Sequence, residues 1–120
     1  MINLEVREAI LDSLKDPLVF VDTNHTIQYM NEAAIRHYEE GVNLIGRPIF
    51  ECHNEQSNRI IVEIFSDFEN GTEERLITDN EKHRIYMRAV RDIDGQLLGY
   101  YERYEPPAVL TTIGPNGQSN

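Results

Sequence analysis

The sequence predicts an α+β domain, one antiparallel sheet of five strands with helices on a single face and an amphipathic helix in front. Three observations carry the prediction. Apolar side chains recur at Ile2, Val6, Ile10 and Leu14, a helical spacing, ahead of Pro17. Two short strand-like runs follow, joined by a turn, and three more close the chain beyond a middle that reads as helical. Strands in two hairpin-linked groups around a helical middle fit one sheet covered on one side.

Taken in order, residues 2–15 place Ile2, Val6, Ile10, Leu11 and Leu14 on one side and Arg7, Glu8, Asp12 and Lys15 elsewhere. Leu18-Val19-Phe20-Val21 reads as a buried strand. Asp22-Thr23-Asn24-His25 is turn material before a second strand, Thr26–Met30. Asn31 is an N-cap for a short helix over residues 32–38, which Gly41 can stop. Residues 42–52, with Gly46 and Pro48, read as short helical turns. A longer helix starts at Asn54 or Ser57 and runs to about Glu69, with Ile60, Ile61, Ile64, Phe65 and Phe68 on one face and Asn70-Gly71 ending it. Strands are expected over 73–78, 83–91 and 97–104, the last two joined by a turn at Asp94-Gly95. The expected organisation is a helix over 1–16, one domain over 17–105 and a flexible tail over 106–120, where Pro, Gly, Asn and Ser dominate.

Composition narrows the function. The 120 residues suffice for one core. Twenty-one acids against 11 bases give a net charge of −10, which repels phosphate backbones and anionic lipid, so neither nucleic acid nor membrane is an expected partner. No apolar run reaches the roughly 20 residues of a spanning helix. The single cysteine, Cys52, excludes an internal disulfide and a multi-thiolate metal site within one chain, and the cytoplasm is the expected compartment. No serine sits in a nucleophile elbow, no Gly-rich loop cradles phosphate, and the adjacent pairs Glu39-Glu40 and Glu73-Glu74 point apart. An enzyme is not expected.

Four strings in order resemble the PAS sensory family over residues 10–105: Pro17-Leu18-Val19-Phe20-Val21-Asp22, Ile27-Gln28-Tyr29-Met30-Asn31-Glu32-Ala33-Ala34, Leu44-Ile45-Gly46-Arg47-Pro48 and Arg91-Asp92-Ile93-Asp94-Gly95-Gln96-Leu97-Leu98-Gly99. Cys52-His53-Asn54-Glu55-Gln56-Ser57 resembles a bacterial subgroup with a Cys-His dipeptide before the long helix. The resemblance implies a sheet cupping a small cavity under the helices, and sensing through a ligand, a cofactor or a dimer contact.

Candidate residues follow from that implied cavity. Flavin photochemistry is not expected, because Ile49 stands where the reactive Cys of the photosensors would be. The helix position that carries the axial His in many haem-binding relatives holds Ile60 or Ile61, but a different branch uses a His from a short helix where His53 lies. A neutral imidazole suits haem iron, which makes His53 the candidate ligand if haem is the cofactor. Against that stands the reading of His53 as an ordinary residue at a helix start. His83 is expected to rim the cavity in phase with Ile85, Met87 and Ala89, while Ile60 and Ile64 approach it from the long helix. Tyr101, two residues after Gly99, is expected to face the cavity, and Tyr100, Glu102 and Tyr104 the opposite side, where two Tyr with Leu98 would centre an interface. His37 suits a helix C-terminus, and His25 has no partner suggested by the sequence.

The expected function is therefore a cytoplasmic sensory domain that binds a small ligand or cofactor and signals through a homodimer or a downstream signalling protein. Haem held by His53 is the first alternative, and a ligand-free interaction module with a filled core is the second.

Overall fold

The computed structural model describes residues 1–107. Its elements are α1 (Leu4–Ser13), β1 (Leu18–Asp22), β2 (Ile27–Met30), α2 (Glu32–His37), two 3₁₀ turns (Gly41–Leu44 and Ile49–Cys52), α3 (Glu55–Glu69), β3 (Glu74–Asp79), β4 (Arg84–Arg91) and β5 (Leu97–Glu105). The five strands form one antiparallel sheet in the order β2-β1-β5-β4-β3, the predicted fold class. The tail expected over 106–120 lies almost wholly outside the described residues.

Asparagine and aspartate side chains set the boundaries. Asn3, Asn31 and Asn54 each accept a backbone N–H from the first turn of α1, α2 and α3, at 2.9, 2.9 and 2.8 Å. Asp22, Asn80 and Asp92 do the same inside the three hairpin turns, from Asn24 and Thr26, Lys82 and His83, and Asp94 and Gln96. Asn70 and Gly71, the latter at φ 106°, end α3, and the Arg91 guanidinium donates to the freed Phe68 carbonyl.

The core lies between the sheet and α2, α3 and the 3₁₀ turns. It is built from Val19, Val21 and Ile27 of the first hairpin, Ile61, Ile64 and Phe68 of α3, and Met87, Ala89 and Tyr100 of the last. Ile60, expected on the buried face of α3, is 41% exposed at the edge of that face, since the fully covered stripe is narrower than the apolar one. Helix α1 buries none of its residues; it is held at its end by Leu11, whose carbonyl accepts from Asn31, and by Asp12, which accepts from the Tyr29 hydroxyl at 2.6 Å.

The last strand departs from the expected register. Tyr100, Glu102 and Tyr104 point under the helices and Tyr101 points to the outer face, the reverse of the sequence reading. The cause is a bulge. A regular ladder from the Asp94-Gly95 turn would pair Met87 with Tyr101, but Arg91 pairs with Leu97 and Val90 with Gly99, leaving Leu98 as an extra residue. Met87 therefore faces Glu102, and every side chain beyond the bulge changes side. Tyr100 and Tyr104 accordingly belong to the interior and form no outer interface with Leu98.

The outer face carries Phe20, Leu76, Tyr86 and Tyr101 among arginines. Arg103 lies 4.5 Å from the centre of the Tyr86 ring and reaches Glu74 and Glu105 at 3.4 and 2.6 Å.

Candidate functional site

The inward face of β5 presents three polar side chains in a row, Tyr100, Glu102 and Tyr104, to an otherwise apolar interior. Tyr100 is satisfied by Nδ1 of His25 at 3.0 Å; the His25 ring, carried by a turn residue at φ 64°, sits against Phe50 and Phe65. Tyr104 is satisfied by the Tyr38 hydroxyl at 2.7 Å, where α2 ends. Glu102, between them, is 3% exposed and its Oε1 has no hydrogen-bond partner.

His53 faces Glu102 from the opposite wall. It follows the second 3₁₀ turn and precedes the N-cap of α3, so the corner between these elements fixes its backbone. Its Nε2 lies 3.8 Å from Glu102 Oε1, too far for a hydrogen bond, and is likewise buried without a partner. Both residues line a cavity of about 190 Å³ together with Ser57, Ile60, Ile61, Ile77, Thr78, Ile85 and Tyr104. A larger depression of about 520 Å³ on the solvent side of α3, between Phe50 and Val62, is open and shallow and brings no buried carboxyl or imidazole with it.

Desolvation dominates the electrostatics here. Burial pushes the Glu102 carboxyl up to about 7 and holds the His53 imidazole below its ordinary value, so near neutral pH the acid is partly protonated and the imidazole neutral. Burial also raises the Tyr38, Tyr100 and Tyr104 hydroxyls and the Cys52 thiol, which keeps all four protonated. The arrangement can accept and donate hydrogen bonds to a small guest. Among the described residues, no group of three or more His, Cys, Asp or Glu side chains is placed to hold a metal ion.

The fold agrees with a family comparison in which the model described as PAS domain matches residues 8–105. The chain belongs to the PAS domain family. Among solved structures, the C-terminal domain of a Streptococcus mutans protein is similar at TM-score 0.74 and 20% identity, over 88% of this chain and 85% of that one. A PAS domain from Colwellia psychrerythraea matches at TM-score 0.63 and 20% identity, over 86% and 95%. A sensory box sensor histidine kinase from Vibrio cholerae matches at TM-score 0.57 and 15% identity, over 83% and 87%. At these identities the likeness is one of fold. No curated protein sequence matches the chain.

The expected site residues of this PAS domain are distributed unevenly. His53, Ile60 and Ile85 line the cavity. Ile64 and Met87 are buried in the core behind it. His83 lies in the turn before β4, its ring 4.9 Å from that of Tyr104 and 6.4 Å from that of His37, outside the cavity lining. Tyr101 is on the far face of the sheet, for the reason given by the bulge. Haem with His53 as its axial ligand does not fit this geometry. The cavity is smaller than the roughly 300–1,000 Å³ of ordinary ligand pockets, and the Glu102 carboxyl already stands 3.8 Å from the nitrogen that would bind iron.

Glu102, Tyr104 and His25 were not legible as site residues. The signal for Glu102 is the pairing of β4 with β5, and one unannounced bulge inverts it. His25 shows no spacing that would tie it to Tyr100, which is 75 positions away.

Proposed function

We propose that this PAS domain is a non-catalytic cytoplasmic sensory module that binds a small molecule in the cavity between α3 and the sheet and passes occupancy to a second chain. One observation carries the reading: two residues that line the same cavity, Glu102 and His53, each carry a buried polar atom, Oε1 and Nε2, that has no partner. An unsatisfied buried polar atom costs about 1–3 kcal/mol, a penalty that a bound ligand removes. The Cys52-His53 dipeptide fits this role, since it delivers the imidazole to the cavity wall at the start of α3.

For the output, the reading is a homodimer. The apolar side of α1 is uncovered in the single chain, Leu4 at 77% and Ile10 at 50% exposure, and is flanked by Glu5, Glu8 and Asp12. The outer sheet face offers apolar Phe20, Leu76 and Tyr101, a complement in polarity, while its Arg84, Arg88 and Arg103 pair with Asp79, Glu74 and Glu105 of the same face. A downstream signalling protein would use the same two surfaces.

Native mass spectrometry of the purified chain tests ligand binding. The expected result is a bound small molecule lost on denaturation and missing from Ile61→Phe, which fills the cavity. Identical unliganded masses for both forms contradict the proposal.

A further inference from the structure

The chemistry of the cavity wall selects among ligand classes. Glu102 is the one acidic side chain in the lining, and neither Lys nor Arg lines the cavity among the described residues. An anionic ligand would bring a second negative charge to an uncompensated carboxyl, whereas a cation would supply the missing partner. The acceptors are set for a single donor group. Glu102 Oε1 and His53 Nε2 stand 3.8 Å apart, buried and without partners in two residues of the same lining, so with the imidazole proton on Nδ1 one nitrogen with several N–H bonds, wedged between them, would satisfy both. Ile60, Ile61, Ile77 and Ile85 form the apolar part of the wall and suit a short apolar body, and Ser57, Thr78 and Tyr104 complete it.

We infer that the cavity takes a small organic ammonium ion whose nitrogen bridges Glu102 Oε1 and His53 Nε2 while its alkyl or aryl body packs on the isoleucines of α3, β3 and β4. This rests on reading the cavity as the ligand site. Pairing a charge with a charge and completing both sets of hydrogen bonds is what offsets burial of an ion. The groups that face Glu102 do not compete: His53 and Cys52 approach it from the corner before α3, Tyr38 from the end of α2, and Tyr100 and Tyr104 from β5, while Val19 of β1 and Met87 of β4 are apolar. Ammonium binding requires the carboxylate form, so it competes with the proton.

The experiment compares three molecules of one shape, isopentylamine, isopentanol and isovalerate, by isothermal titration calorimetry on the whole chain. The expected order is amine first, alcohol weaker, acid weakest. Glu102→Gln should weaken the amine by at least about tenfold, or 1.4 kcal/mol. It should weaken the alcohol far less than the amine, and the circular dichroism of the variant reports that it is folded. Amine affinity should fall by up to about tenfold per pH unit below the Glu102 midpoint, and Glu102→Gln should abolish that slope. Binding of the alcohol or the acid in preference to the amine overturns the inference and leaves the ligand-binding reading in place. Amine binding that is indifferent to Glu102→Gln overturns it as well. If none of the three binds, the ammonium site fails, and the ligand-binding reading stands or falls on the native mass spectrum.

Discussion

Asn31 shows how much one buried side chain can organise. Its Oδ1 accepts from Ala34 N–H as the cap of α2 and from Leu18 N–H at the start of β1, and its Nδ2 donates to the carbonyls of Leu11 and Asp16. The cap is readable in the sequence, because Asn before a helical run is a local signal; the other three bonds join residues 13 to 20 positions away and leave no local trace. Replacing Asn31 by Ala removes the cap and strands several buried polar groups, for an expected loss of about 2–4 kcal/mol in urea denaturation. Glu102 gives a different signature. Its midpoint rises from 4.5 to about 7 on folding, so the folded state holds a proton that the unfolded chain releases. Its contribution is thus most favourable below about pH 4.5 and declines as pH rises towards 7, by roughly 3 kcal/mol in total. His53, held low, works in the opposite sense, favouring the fold as pH rises towards 6.5. The difference in stability between unmodified chain and Glu102→Gln isolates the carboxyl: it should shift in favour of Gln from pH 5 to 8, by about the same amount.

Among the elements, β5 decides what the cavity is made of. The turns at Asp22–His25 and Asp94-Gly95 and the Asn31 cap of α2 were readable because short-range Asn, Asp and Gly chemistry specifies them, and the strands around them were placed within a residue or two. The faces of β4 followed from its own alternation, with Met87 buried. The faces of β5 did not, because the extra residue Leu98 is fixed by pairing with two neighbouring strands and not by anything in Leu97-Leu98-Gly99 itself. Gly99 belongs to the same device. A Cβ there would lie 2.2 Å from the Val21 carbonyl oxygen and 2.9 Å from the Phe20 ring, so β1 approaches β5 at this point only because the side chain is missing. Gly99→Ala should cost about 3 kcal/mol, seen as a lower urea midpoint with an unchanged slope.

At the scale of the whole molecule, the fold class was legible from element order and periodicity. The cavity's polar wall was only half legible: His53 was found from a resemblance, while its counterpart across the cavity was assigned to the wrong side of the sheet. Helix α1, with its uncovered apolar side, carries the assembly prediction. A double substitution, Val6→Glu with Ile10→Glu, should convert a dimer to monomers in sedimentation equilibrium without altering the circular dichroism of the domain, since neither side chain is buried within the chain. A monomeric unmodified chain at micromolar concentration would contradict the dimer.

The central claim is that β5 aims an unpaired carboxyl into the cavity beside His53, and the titration of Glu102 itself tests it most directly. Carbon NMR of the Glu102 side-chain carboxyl, assigned by its loss in Glu102→Gln, should give a midpoint near 7 in the free protein. A midpoint near the ordinary 4.5 would mean that Glu102 is solvated or paired, and would contradict both the register of β5 and the site built on it.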